Sequence, residues 1–220
     1  MSTARSTETD ADASDSLKTA TASLLLAWIP FVIGGLLITQ AGTPPSESPT
    51  LGMLSHALWA LSIAILALGV VALLRSVPAL RQGLAGYLSA GVLGLGVLHG
   101  LQWVSWTYVD VRGADEVDRT AVVLDSIVVP FGASHLLIYA ILLGTGVGLL
   151  GWALRRLDTT NPYLGLAGVG LGTVTASLAV FPLLAAVGGG SEGHVVFDIV
   201  TLLLPVVYLW ALGLGISLYR

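Results

Sequence analysis

The stretch LSHALWALSIAILALGVVALLR, residues 54–75, decides the fold. It is apolar from end to end except for His56 near its start, a few small polar residues and the closing Arg75. At about 1.5 Å per residue a helix of this length crosses the roughly 30 Å of hydrocarbon in a bilayer. Five more blocks of the same kind surround it. The six spans read as residues 20–40, 52–74, 84–108, 130–154, 162–187 and 195–219. Only a helix or a closed barrel satisfies its own backbone polar groups inside lipid, and blocks of this length select the helix.

Composition agrees with that reading. Of 220 residues, 55% are hydrophobic and 10% charged, and the mean hydropathy is +0.89. A soluble domain of this size carries about 25% charge. A large soluble core would not leave six apolar runs with the charges confined between them. The expected class is all-α, a polytopic bundle of six transmembrane helices over residues 20–220.

Charge placement orients the bundle. Arg75 and Arg81 fall in the second-to-third connection, Arg155 and Arg156 in the fourth-to-fifth, and Arg220 at the last position. The opposite connections carry Glu47, Asp110, Asp115, Glu116, Asp118, Asp125 and Glu192 against Arg112 and Arg119. The excess of cations on one side predicts a multi-pass protein of the cell membrane with both termini and the arginine-bearing turns cytoplasmic. Residues 1–19 form a polar, acidic stretch without the basic start of a signal peptide, expected as a retained, disordered cytoplasmic tail.

One lysine, Lys18, stands against eight arginines, and there is no cysteine. This acidic, lysine-poor composition resembles that of proteins of halophilic archaea; the resemblance covers the tail and loops and implies no family. The absence of cysteine excludes disulfides, thiol chemistry, iron–sulfur clusters and covalently attached haem. A net charge of −4 argues against a nucleic-acid partner. The expected partners are the lipid bilayer and a further membrane-protein subunit.

A second pattern lies inside the apolar runs. LSHALWALSIAILALGVVALLR followed by LAGYLSAGVLGLGV parallels ASHLLIYAILLGTGVGLLGWALRR followed by LGLAGVGLGTV, at residues 133–156 and 164–174. Each unit starts on Ser-His, ends its first helix on arginine and returns through a glycine-rich span, as a repeated helical hairpin would. Glycines four residues apart, Gly144 and Gly148, then Gly168 and Gly172, permit close helix approach.

The histidines share a depth. His56 lies 19 residues from Arg75, about 28 Å of helix; His135 lies 20 from Arg155, about 30 Å; His99 lies 18 from Arg81, about 27 Å. All three reach the outer boundary of the hydrocarbon. His194 opens the sixth span, and Asp198 follows one turn deeper on the same face. Ionisable residues in a span are costly and mark candidate sites. Two chemistries fit. Haem b or a transition metal would use His56, His99 and His135 as ligands, with His194 as a further metal ligand. A hydrolytic metal site would add Asp198 as its catalytic base. The plain alternative makes the histidines interfacial anchors in a non-catalytic accessory or small-solute membrane protein.

Neighbouring residues carry the same choice. Gln102 stands one turn beyond His99, placed to orient its ring or a ligand. Trp59, Tyr139 and Phe197 follow histidines by three or four residues and suit a flat macrocycle, a quinone or lipid contact, the last being the commoner use. Trp103, Trp106 and Tyr108 read as an interfacial aromatic belt. Val117–Val129 is amphipathic and suits a surface loop or a lid over the histidine layer. Phosphate-loop, H-E-x-x-H and G-x-S-x-G motifs are absent, and no span holds a lysine for a retinal Schiff base.

Overall fold

A computed structural model describes residues 3–40, 49–112, 135–157, 161–187 and 194–219. Its elements are α1 (Thr3–Leu26), α2 (Trp28–Gln40), α3 (Pro49–Ser76), α4 (Pro78–Arg81), α5 (Leu84–Arg112), α6 (His135–Leu154), α7 (Pro162–Val187) and α8 (His194–Tyr219). No strand occurs among the described residues. Six stretches are long and apolar enough to cross a membrane: Ala13–Gln40, Thr50–Ser76, Leu84–Val104, His135–Leu154, Pro162–Leu184 and Ile199–Tyr219. The protein is an all-α bundle of six such helices, as the apolar blocks predict. The loop expected to cap the histidine layer, Val117–Val129, lies outside the described residues.

The spans pack in chain order. α3 rests on α1 and α2, α5 on α3, α6 on α5, α7 on α6 and α8 on α7, and α8 returns to α1, closing the ring. α6 also reaches across to α8 and buries twelve of its 20 residues, His135, Tyr139 and Leu143 among them. Large apolar side chains point outward around the ring, including Leu36, Leu98, Phe181 and Leu202, each at least 60% exposed. Lipid tails are as apolar as leucine, so such a surface is stable only in a membrane, and burial alone does not draw the helices together. Close packing and interhelical hydrogen bonds must do so.

The first span shows both effects. Pro30 has no N–H to offer the carbonyl of Leu26 and its ring crowds that oxygen, and α1 ends at Leu26. α2 then continues the same span. α3 grips the interrupted segment through three side chains on one face, spaced four and three residues apart. Ser55 Oγ donates to the Gly34 carbonyl at 2.7 Å, Trp59 Nε1 to that of Phe31 at 3.1 Å and Ser62 Oγ to that of Ala27 at 2.6 Å. Each bond of this type contributes about 0.6 kcal/mol on average and up to about 1.7. Ser89 Oγ ties α5 to α6 in the same way, donating to the Gly146 carbonyl at 2.7 Å.

Glycine provides the close approach. A Cβ on Gly151 of α6 would meet the Val169 nitrogen at 2.6 Å and the Gly165 carbonyl at 2.7 Å, both backbone atoms of α7. On α5, a Cβ on Gly100 would lie 2.9 Å from the Ala60 Cβ, so α5 approaches α3 one residue beyond His99.

α1 is helical from Thr3 and runs unbroken into the first span. Residues 3–19 contain no proline or glycine, so nothing in them stops a helix already nucleated by the apolar run. Lys18 Nζ pairs with Asp15 at 3.0 Å one turn back, and Thr19 Oγ1 donates to the Asp15 carbonyl at 2.9 Å. Both arginine-bearing connections reach one end of the bundle, where Gly83 lies beside the Arg156 guanidinium, and Ala13, Asp15, Ser16 and Thr19 of α1 lie there with Arg75 and Arg81.

Candidate functional site

At the other end, α3, α5 and α6 bring three histidines together around Trp103. His56, His99 and His135 are all buried, each 8% exposed or less. The His99 and His135 rings stack with centroids 5.3 Å apart. Trp103, one turn beyond His99, stacks on His56 at 4.3 Å and on His135 at 5.5 Å. His99 Nε2 lies 3.0 Å from the His135 carbonyl oxygen. A carbonyl only accepts, so Nε2 carries the hydrogen, and in the neutral ring Nδ1 is left as the acceptor.

The equal depths estimated from helix length are therefore matched by ring contacts across three helices. Trp103, expected in an interfacial aromatic belt, instead turns inward as the ring shared by His56 and His135. Trp59 and Tyr139 also turn inward rather than toward lipid: Tyr139 is fully buried, and the Trp59 ring lies 5.9 Å from His56, 5.6 Å from Trp103 and 6.5 Å from Tyr139. Gln102 Nε2 is buried with no hydrogen-bond partner among the described residues, so its amide N–H does not orient the His99 ring.

The aromatic contacts continue toward the middle of the bundle. Phe31 of α2 stacks on Trp59 at 6.0 Å and on Tyr208 of α8 at 4.5 Å. The hydroxyls of Tyr139 and Tyr208 are 2.6 Å apart and join α6 to α8. Ser62 donates to the Ala27 carbonyl at the break between α1 and α2, joining α3 to the first span. Sequence inspection passed over Tyr208 and Ser62. Their signal was position: each is a polar group deep within a span, and Ser55, Trp59 and Ser62 recur on one helical face.

The remaining candidates do not join this group in what is described. His194 and Asp198 lie on the first turns of α8, and the placement of their side chains is outside the described residues, as is that of Phe197. Among the described residues, no group of three or more His, Asp or Glu side chains stands in an arrangement that could hold a metal ion. No protein-family model, curated protein or solved structure matches the chain.

Proposed function

We propose that this protein is a non-catalytic accessory membrane protein in which His56, His99 and His135 hold the outer ends of α3, α5 and α6 together. The observation that carries this reading is how the rings are used: His99 Nε2 donates to the His135 backbone, and His56 and His135 both stack on Trp103. Ligation of haem b or a transition metal would ask the same rings to direct lone pairs at a common centre, whereas the contacts described for them include one another, Trp103 and Trp59. The bundle sits in the cell membrane with its arginine-bearing end in the cytoplasm, supported by Arg75, Arg81, Arg155 and Arg156 at that end. Neighbouring membrane subunits, rather than a soluble ligand, are the partners this reading implies.

Conservative replacements test it. His99→Gln retains an N–H that can reach the His135 carbonyl and should melt close to the parent. His99→Ala leaves that contact unmade and should cost about 1 kcal/mol. His56→Phe preserves the stack on Trp103 and should also be tolerated. A ligand role predicts the reverse pattern, in which Gln and Phe are as damaging as Ala and a bound metal or chromophore leaves with each.

A further inference from the structure

The arginine-bearing end holds a cavity of about 730 Å³ between α1, the end of α3 and α4. Arg75 and Arg81 line it, with Ser16 and Ser76 among the hydroxyls. Neither guanidinium has a hydrogen bond or ion pair among the described residues. Just beyond α6 the equivalent arginines are engaged: Arg155 and Arg156 lie over the Trp152 ring at 5.4 and 5.9 Å. Asp15 also borders the cavity, but its carboxylate is paired with Lys18.

The same cavity has an apolar side. Leu68 and Val71 belong to its wall, seven and four residues before Arg75 on α3, and so about 10 and 6 Å deeper in the membrane. They are 53% and 36% exposed. Cationic donors at the interface above an apolar wall match one class of molecule, a lipid with a phosphate at one end and acyl chains at the other. Basic pockets between helices at a cytoplasmic face recognise anionic lipid headgroups by this chemistry.

We propose that the cavity seats an anionic phospholipid, with its phosphate at Arg75 and Arg81 and its chains along Leu68 and Val71. Arginine suits the role because its planar fork matches phosphate oxygens two at a time. The hydroxyls of Ser16 and Ser76 offer further donors to the headgroup. The bound lipid would fasten the Ser16 turn of α1 to the end of α3.

Native mass spectrometry and thermal melting of the purified full-length protein test this in neutral detergent, with phosphatidylglycerol or phosphatidylcholine added. Phosphatidylglycerol should be retained and should raise the melting temperature, and phosphatidylcholine should do neither. R75Q/R81Q should weaken phosphatidylglycerol retention about 25-fold, taking roughly fivefold for each basic side chain at the membrane surface. R75K/R81K, which keeps the charge, should recover most of it, and R155Q/R156Q should leave it within about twofold. Equal retention of the two lipids, undiminished retention by R75Q/R81Q, or an equal loss in R155Q/R156Q would overturn the proposal. So would a melting shift reproduced by inorganic phosphate alone, which would assign the arginines to a water-soluble anion.

Discussion

The hydroxyl pair at the centre of the bundle makes a non-additive prediction for two tyrosines. The oxygens of Tyr139 and Tyr208 are 2.6 Å apart, so one donates and the other accepts. Replacing the donor with Phe removes this bond and strands no hydrogen of it, at a cost of about 0.6–1.7 kcal/mol. Replacing the acceptor with Phe leaves the donor O–H buried without that acceptor, at a cost of about 1–3 kcal/mol. Both changes keep the ring, so the 4.5 Å stack of Phe31 on residue 208 is retained. Both single changes remove the same bond, and the double variant should cost no more than the costlier of the two. Reversible unfolding in mixed micelles measures all four corners of this cycle. Additive costs would refute the shared bond.

Glycine contacts and topology supply further tests. Gly151→Ala should destabilise by about 1–3 kcal/mol, because the added methyl meets α7 backbone that cannot turn aside. Gly170→Ala, with nothing within 4 Å of the added carbon, should be neutral or slightly stabilising in the same melting assay. In intact cells, an impermeant thiol reagent should label Ser46→Cys and Ser191→Cys but not Arg81→Cys; the opposite pattern would invert the orientation.

The fold was legible because a bilayer imposes a simple rule. Each apolar block had to become a helix, and Pro30 even marks the place where the first span is interrupted, since the carbonyl it deprives is that of Leu26. The shared depth of His56, His99 and His135 was legible for the same reason, because rise per residue converts sequence distance into height. Rotation about the helix axis was not. Trp103 has the sequence surroundings of a belt residue, and only the packing of α5 between α3 and α6 turns its ring to His56 and His135. The span-interior hydroxyls were visible in sequence, but the pairing of Tyr139 with a residue 69 positions away follows from the return of α8 to α6.

We propose that the histidines at the end of the bundle away from Arg75 and Arg81 serve one another and Trp103 rather than a bound centre. An absorption spectrum and metal analysis of the purified protein, repeated on His99→Ala, test it most directly. The account predicts only the ultraviolet band of the aromatic residues and less than stoichiometric metal, with the variant changing stability alone. A Soret band, or one equivalent of metal that His99→Ala removes, would contradict it.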